Sequence, residues 1–488
     1  MTYRYRFLSL LAVCMMLLAG AACTTQPAED APLYITGGHY FDVHSQQMVE
    51  NTGIVVRDGR FESLDAAQAP EGARHIELSD SQYLLPGIVD VHAHYRMRAF
   101  GSDSLGWTDE FKYNALVYLA NGVTSTFPAG VYYPYLEQAA SRAVEAGEWD
   151  GPRMWTSGPY FGTARPGWDN GMSREEIYAD VDYWVSQGVD GFKAKGASPT
   201  TIEHLVDRAH EHNLNVAGHL GSGAGNSTNA VEAIEAGIDR VEHILGGYVL
   251  DRERAAYPVW NEVDTTSQAF RRTVQMYLDN EVFFDATMIA PVYFTTLKPG
   301  FDYWEPEREM FTDFVRGEVD DGSDREASSL MDGLYNAMQR STKAFYEAGG
   351  GDLITLGTDA PSHGHFLAGF GAHREMQTMS LAGIPNAAVL KIATLNSARS
   401  LRLDDRVGSI EEGKWADAFV VEGNPLDDIT NTRNVQTVIK GGVTYEPSAL
   451  LESVRGQIGP SDSSETESWF RYPELRQTAD SLEQARGQ

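Results

Sequence analysis

Cysteine is almost absent from this sequence, and the two that are present, Cys14 and Cys23, both lie within its first 23 residues. The rest of the chain therefore has no disulfide and no cysteine to serve as a nucleophile or metal ligand. Basic residues are also scarce, since 38 Lys and Arg stand against 69 Asp and Glu, giving a formal net charge of -31. A surface this acidic repels phosphates, which argues against nucleic acid as a partner.

Hydrophobic runs long enough to cross a membrane are absent as well. Two arginines precede a short apolar run, residues 7–18, and small residues follow it up to Cys23. This order predicts an export signal over residues 1–23. The small residues before the cysteine predict a lipoprotein signal, with ordinary cleavage one or two residues earlier as the alternative. We therefore expect an exported protein, periplasmic or anchored to a membrane through lipid at Cys23.

Short apolar runs alternate with helical patterns between residues 85 and 404. Eight of the runs predict strands, at residues 88–92, 123–127, 153–157, 189–193, 214–219, 239–243, 282–287 and 353–359. Ser198 and Pro199 mark the start of one intervening helix, whose apolar residues recur at a spacing of three and four. Eight alternations over about 300 residues predict an α/β protein with a (β/α)8 barrel of the TIM type.

The segments on either side of the barrel region have strand patterns separated by tight turns. We predict that they form one small β-sandwich domain built from both chain ends. The predicted organisation is a signal at 1–23, a linker at 24–32, the sandwich at 33–84 and 405–449, the barrel at 85–404 and a C-terminal tail at 450–488.

Histidines and one aspartate mark the ends of the predicted barrel strands. His92 and His94 end the first strand, and because alternate residues of a strand face the same side, both imidazoles can bind one metal ion. The other strand-end residues are Lys193 in the fourth strand, His219 in the fifth, His243 in the sixth and Asp359 in the eighth. The carboxyl ends of barrel strands meet at one rim, so these side chains are expected to lie together. Four imidazoles and a carboxylate suit zinc or a similar divalent ion.

The sequence resembles the amidohydrolase superfamily at both ends of the barrel region. The motifs are Leu-Leu-Pro-Gly-Ile-Val-Asp-Val-His-Ala-His at residues 84–94, Ala-Thr-Leu-Asn-Ser-Ala-Arg at 393–399 and Gly-Ser-Ile-Glu-Glu-Gly-Lys-Trp-Ala-Asp-Ala at 408–418. The resemblance covers residues 33–445 and is closest to the branch of imidazolonepropionase-like and prolidase-like enzymes. It implies the barrel and the split strand domain.

The resemblance also implies a set of metal ligands, which are His92, His94, His219, His243 and Asp359. It further implies that Lys193 is carboxylated and bridges two divalent ions, expected to be zinc, with Lys195 as the alternative bridge. Carboxylation would convert a lysine repelled by the ions into an anionic ligand. In the implied mechanism a metal-bound hydroxide attacks a carbonyl, Asp359 transfers the proton, and His243 stabilises the oxyanion.

We therefore predict a hydrolase of an amide or other C–N bond in a small-molecule substrate, either a dipeptide, an N-acyl amino acid or a cyclic amide. A mononuclear deaminase-type hydrolase of the same superfamily is the alternative, although such enzymes generally lack the lysine found at position 193. A non-catalytic binding protein would be expected to have lost ligands, and an isomerase is compatible with the motifs. The resemblance is also compatible with a homo-oligomer.

Specificity is expected to depend on loops at the rim. Two long segments after barrel strands, 246–281 and 289–350, are predicted to be insertions that cover the site. Other polar or aromatic residues follow strand ends without an assigned role, and they are Tyr95, Arg96, Tyr160, Arg165, Trp168, His363 and His365.

Overall fold

The computed structural model describes residues 31–95, 107–131, 134–165, 167–221, 228–250, 256–292, 294–296, 304–321, 328–361 and 367–463. The predicted signal with its Cys23, most of the linker and the end of the C-terminal tail lie outside these residues. Arg96, His363 and His365 lie outside them as well. Within the described part of the chain, no helix is both long and apolar enough to span a membrane.

Strands and helices alternate along most of the described chain. The strands are β1 (Leu33–Asp42), β2 (Gln47–Glu50), β3 (Ile54–Arg57), β4 (Arg60–Ser63), β5 (Arg74–Pro86), β6 (Ile88–Ala93), β7 (Val123–Pro128), β8 (Arg153–Met154), β9 (Tyr160–Phe161), β10 (Gly191–Lys195), β11 (Asn215–His219), β12 (Arg240–Glu242), β13 (Phe283–Asp285), β14 (Ile354–Thr355), β15 (Ala418–Glu422), β16 (Val435–Lys440) and β17 (Val443–Tyr445). The α-helices are α1 (Trp107–Ala120), α2 (Pro134–Glu145), α3 (Arg174–Ser186), α4 (Pro199–Glu211), α5 (Ala230–Glu235), α6 (Ala256–Trp260), α7 (Gln268–Asp279), α8 (Ile289–Val292), α9 (Glu305–Arg308), α10 (Asp313–Asp321), α11 (Ser329–Glu347), α12 (Phe370–Leu381), α13 (Asn386–Lys391), α14 (Ser397–Ser400) and α15 (Pro447–Val454).

Strands from both ends of the described chain share one eight-stranded mixed sheet. Its order is β17-β16-β15-β5-β1-β3-β4, with β2 paired to β1. The two chain ends meet in the antiparallel pair of β15 with β5, where Val420 lies opposite Leu84. Buried apolar side chains of this sheet, among them Ile35, Phe61 and Ile439, pack into a cluster of their own.

The middle of the chain forms two parallel sheets, with orders β6-β7-β8 and β14-β13-β12-β11-β10-β9. Every residue of β6 and β7 is buried, as expected for parallel strands covered on both faces. Each of the eight strand segments predicted from the sequence overlaps one of these strands.

Main-chain hydrogen bonds connect the two parallel sheets at both edges. The Val91 N–H donates to the Leu356 carbonyl at 2.9 Å, and the Asp190 N–H donates to the Thr156 carbonyl at 2.7 Å. The first bond joins β6 to the segment after β14, and the second joins the segment after β8 to the one before β10. Because parallel strands run the same way, their carboxyl ends face one side of the assembly.

Several strands are shorter than the sequence pattern predicted, which corrects the expected positions of two site residues. β12 ends at Glu242 and β14 at Thr355, so His243 and Asp359 lie in the turns that follow. Their φ angles are 71° and 54°, a left-handed conformation that costs a residue with a side chain on the order of 1–3 kcal/mol. The chain also contains a short strand that was not predicted, β9, between β8 and β10.

Helix α4 begins where the sequence predicted. The Ser198 hydroxyl accepts a hydrogen bond from the Thr201 N–H at 3.1 Å, and Pro199 lies in the first turn. Apolar residues of the inner face, among them Ile202 and Leu205, are buried. A serine cap of this kind contributes about 1 kcal/mol to helix stability.

Both predicted insertions contain helices, α6 and α7 in residues 246–281 and α8 to α11 in residues 289–350. In the second insertion, Glu307 is fully buried and forms an ion pair with Arg374 of α12. The guanidinium of Arg374 also lies 3.9 Å from the centre of the Trp304 ring. This buried network attaches the insertion to α12.

Replacing Arg374 with methionine is expected to lower the free energy of unfolding by roughly 3–5 kcal/mol, because the Glu307 carboxylate stays buried without its partner charge. Denaturant-induced unfolding of the purified chain measures this change. Arg308→Met is the matched control, since Arg308 pairs with Asp320, whose side chain is 55% exposed, and such pairs contribute about 1 kcal/mol or less. Equal losses in the two variants would contradict the role given to the buried pair.

Candidate functional site

Two of the predicted ligands come from β6 and the residue that follows it. The His92 and His94 ring centroids lie 5.5 Å apart. Nε2 of His94 lies 2.8 Å from Asp359 Oδ1, and Nε2 of His92 lies 3.5 Å from the same oxygen. The Asp359 N–H donates to the His92 carbonyl at 2.8 Å. One ligand atom from each residue lies within 4.8 Å of the others, which is close enough for all three to share a metal ion.

His219 and His243 approach from the neighbouring strands β11 and β12. Nε2 of His243 lies 2.8 Å from Nδ1 of His219. The His243 ring centroid is 5.0 Å from that of His92, and its Nδ1 lies 2.6 Å from the Thr287 hydroxyl. The structure therefore brings together all four predicted imidazoles and Asp359.

Lys193 lies in β10 beside this cluster and is 1% exposed. Its Nζ contacts Oε2 of Glu242, whose side chain is also fully buried. Lys195 is opposite His219 in the neighbouring strand, and its Nζ lies 5.5 Å from the centre of the Tyr160 ring. The two lysines predicted as candidates for the bridge thus lie two residues apart in β10. Lys193 is buried, whereas Lys195 is partly exposed.

Two buried carboxylates beside the cluster were missed by the sequence analysis. Oε2 of Glu242 lies 3.5 Å, and Oδ2 of Asp285 lies 3.3 Å, from Nδ1 of His92. Glu242, His92 and His243 form a second group whose ligand atoms lie within 4.8 Å of one another. A signal for both was present, because Glu242 directly precedes a predicted ligand and Asp285 lies in the seventh predicted strand.

A third acidic residue, Asp90, joins the two segments that carry the predicted ligands His92 and Asp359. Its carboxylate accepts three hydrogen bonds, from the Thr358 hydroxyl at 2.7 Å, from the Thr358 N–H at 3.1 Å and from the His92 N–H at 3.1 Å. Burial raises the pKa of Asp90 to about 6. Because Thr358 immediately precedes Asp359, these bonds hold the segment that carries this predicted ligand.

Protonation states in the cluster suit a divalent cation. Burial lowers the pKa of His243 to about 3, and burial with the nearby Lys193 holds the pKa of His92 well below its ordinary value. Burial raises the pKa of Asp359, but the imidazoles of His92 and His94 outweigh it and hold the pKa well below its usual range. Neutral imidazoles and an ionised carboxylate are the states that metal binding requires.

Arg240 supplies a fully buried positive charge beside Glu242. Its guanidinium donates to the Val91 carbonyl at 3.1 Å and lies 3.6 Å from Oε1 of Glu242. Burial lowers the pKa of Arg240 to about 10. Burial, and then the charges of Lys195 and Arg240, also lower the pKa of Lys193 well below that of a free lysine. Arg240 and Lys193 therefore both lie beside the buried carboxylate of Glu242.

Residues near the predicted rim that were given no role have structural partners. The Tyr95 hydroxyl lies 2.7 Å from Oγ1 of Thr126, and the ring stacks on Phe111. Arg165 forms an ion pair with Asp180 at 2.5 Å. These contacts hold neighbouring segments together.

Known proteins are similar to this chain in sequence over a short stretch. The chain is 32% identical over 83 residues to a 5-methylthioadenosine/S-adenosylhomocysteine deaminase from Teredinibacter turnerae. The match covers 15% of this chain and 18% of the deaminase. The chain thus matches less than a fifth of the length of that curated relative.

Solved structures are similar in fold over much more of the chain. A Xaa-Pro dipeptidase with methionine bound in its active site has a TM-score of 0.63 and 22% identity, over 85% of this chain and all of that one. Molinate hydrolase has a TM-score of 0.63 and 20% identity, over 87% of this chain and 96% of that one. The chain therefore has the α/β fold of these proteins.

The family comparison covers most of the chain, including every residue of the cluster. The model of the amidohydrolase family matches residues 83–445. That span is well over half of the 488 residues. The chain therefore belongs to the amidohydrolase family, which indicates a hydrolase acting on carbon–nitrogen bonds.

Proposed function

We propose that this chain is a metal-dependent hydrolase that cleaves an amide or other carbon–nitrogen bond of a small molecule, with two divalent ions, zinc by preference, held at the cluster. The observation that carries the proposal is the convergence of four imidazoles and Asp359 at the carboxyl ends of parallel strands. Imidazole nitrogens and a carboxylate are ligands that zinc takes readily, so the side chains present fit this ion.

We also propose that the two parallel sheets form one (β/α)8 barrel. The bonds from Val91 to Leu356 and from Asp190 to Thr156 supply the joints between the sheets. In such barrels, sites are built at the carboxyl ends of the strands, and the cluster lies at those ends. The eight-stranded mixed sheet, with its own apolar cluster, is proposed to be the β-sandwich built from both chain ends.

The residues of the cluster have separate roles in this mechanism. Bound divalent ions would supply an acidified water, with its pKa lowered from about 16 toward about 7, and a polarised substrate carbonyl. The ligands would be His92, His94, His219, His243 and Asp359, with a carboxylated Lys193 as the bridge. Asp359 is ionised, so it accepts the proton of the attacking water and returns it to the leaving amine. His243, held by the Thr287 hydroxyl, would help to stabilise the oxyanion through the ion that it binds.

The proposed substrate is a dipeptide, an N-acyl amino acid or a cyclic amide. Support comes from the family match, which indicates C–N bond hydrolysis, and from the similar fold of a Xaa-Pro dipeptidase. The buried cluster also provides the low-dielectric surroundings in which charge stabilisation in the transition state is strongest.

A mononuclear deaminase-type hydrolase is the second candidate, and one observation favours it. The sequence relative from Teredinibacter turnerae is a deaminase. The number of bound ions distinguishes the two candidates.

Metal analysis of the purified chain tests the proposal directly. We expect about two divalent ions per chain, as in binuclear hydrolases. Removing the ions with a chelator is expected to stop hydrolysis of dipeptides and N-acyl amino acids, and adding zinc back is expected to restore it. One ion per chain together with release of ammonia from adenosine-type substrates would favour the deaminase. A chain without metal under metal-replete conditions would contradict both candidates.

We further propose that the enzyme is exported and carries a lipid at Cys23. The support is the order of charged, apolar and small residues over positions 1–23.

A further inference from the structure

Asp285 is a buried carboxylate that the proposed mechanism does not use. It is the last residue of β13 and is 0% exposed. Neither of its oxygens has a hydrogen-bond donor among the described residues. Burying a carboxylate without a hydrogen-bond donor is unfavourable for folding. We therefore looked to the neighbours of Asp285 for a function that explains its position.

Asp285 lies beside the Nδ1 edge of the His92 ring. Nδ1 of His92 lies 3.3 Å from Oδ2 of Asp285, while Nε2 of the same ring lies 3.5 Å from Oδ1 of Asp359. The two nitrogens of this imidazole therefore face two different carboxylates. A slight rotation of the ring would bring its Nδ1–H onto Asp285 at ordinary hydrogen-bond distance.

Gly357 provides the space for this contact. A Cβ atom at position 357 would overlap the Asp285 carboxylate and lie 2.6 Å from Cβ of His92. Gly357 is not among the residues with positive φ, so its backbone does not require glycine. The requirement is the close approach of Asp285 to His92, which any larger residue at this position would prevent.

Glu242 also lies near Nδ1 of His92, at 3.5 Å, but its other contacts differ. Its carboxylate contacts Nζ of Lys193 and lies 3.6 Å from the Arg240 guanidinium. The charges of Arg240 and Lys193 act on Asp285 as well, but its oxygen is the nearer of the two carboxylates to Nδ1 of His92.

We propose that Asp285 is a positioning residue that accepts the Nδ1–H of His92 and so fixes the tautomer in which Nε2 carries the lone pair facing the metal site. The proposal rests on the proposed function, because it assigns His92 as a ligand. Metal-bound histidines generally donate their second ring N–H to a carboxylate or carbonyl, and loss of that acceptor weakens metal binding or activity 10–100-fold. Asp285 acts through His92 and does not touch the substrate.

Three variants of the full chain test this proposal. Asp285→Leu removes the acceptor and Asp285→Asn keeps a weaker neutral one. Gly357→Ala keeps both side chains but places a Cβ against the Asp285 carboxylate and against Cβ of His92, which displaces them from one another. Zinc affinity is measured by competition with a chelator, and unfolding midpoints establish that each variant is folded. Glu137→Gln is the control, because Glu137 is a buried carboxyl on α2 that has no assigned part in the site.

The expected zinc affinities fall about 10–100-fold in Asp285→Leu, by less in Asp285→Asn, and measurably in Gly357→Ala. Glu137→Gln is expected to bind zinc like the unaltered chain. Cobalt-substituted protein gives a second readout, since each ligand imidazole N–H produces a shifted, exchangeable proton resonance. The resonance of His92 is expected to move or disappear in Asp285→Leu.

Unchanged zinc affinity and an unchanged set of imidazole resonances in Asp285→Leu would overturn the positioning role. If that variant does not fold, unchanged values in both Asp285→Asn and Gly357→Ala overturn it instead. Zinc binding by the unaltered chain distinguishes this result from a failure of the proposed function. If the unaltered chain binds no zinc, the proposed function is wrong and the proposal for Asp285 fails with it.

Discussion

Asp359→Asn is expected to lower kcat by roughly 10²–10⁴-fold, the contribution usual for a general acid–base group. Asparagine retains the shape of the side chain but can neither carry the negative charge nor accept the proton of the attacking water. The aspartate accepts from Nε2 of His94 at 2.8 Å, and its own N–H is bonded to His92, so the turn is expected to stay in place. Steady-state hydrolysis and metal content are measured together, because Asp359 is proposed to be both ligand and proton acceptor.

Asp352→Asn is the matched control for this substitution. Asp352 lies shortly before β14, pairs with Lys391 at 2.7 Å, and has a side chain that is 65% exposed. Its replacement is expected to leave kcat unchanged. A variant Asp359→Asn that turns over at nearly the rate of the unaltered chain would remove Asp359 from the proton-transfer role, even if one metal ion were lost.

Lys193→Ala is expected to reduce the metal content from about two ions to one or fewer and to lower hydrolysis by a similar order of magnitude, about 10²–10⁴-fold. The alanine leaves a cavity beside Glu242, and a carboxylated lysine could no longer bridge the ions. Short carboxylic acids such as acetate are expected to restore part of the activity by entering that cavity. Metal analysis and rates with and without acetate test this expectation.

Lys195→Ala is the control, because Lys195 lies two residues further along the same strand and faces the same side. It is expected to retain both ions. If Lys195→Ala lost an ion and Lys193→Ala did not, the bridge would be assigned to Lys195. If both variants and the unaltered chain held a single ion, the mononuclear candidate would replace the binuclear one.

Much of the candidate site could be predicted because its signals are local. A histidine or aspartate at the end of a buried apolar run is visible in the printed sequence. So is the pair His92 and His94, whose spacing of two puts both on one face of a strand. The cap of α4 at Ser198 is equally local, since it depends on residues within one helical turn.

Other features could not be predicted, because they depend on residues far apart in the chain. Asp285 meets His92 across 193 positions of sequence only because β13 and β6 lie near one another after folding. The same holds for the ion pair of Arg374 with Glu307, which links an insertion to α12. Apolar periodicity specifies which face of a strand is buried but not which other strand faces it.

The kinds and order of the proposed metal ligands, and the alternation of strands and helices that carries them, were predicted from the amino-acid sequence. They did so because periodicity and strand ends are properties of a few neighbouring residues. The left-handed turns at His243 and Asp359, the buried contact of Lys193 with Glu242 and the space that Gly357 leaves for Asp285 were decided by the tertiary structure. These features arise only when separate strands pack together, since packing sets the distances between side chains that no local pattern encodes.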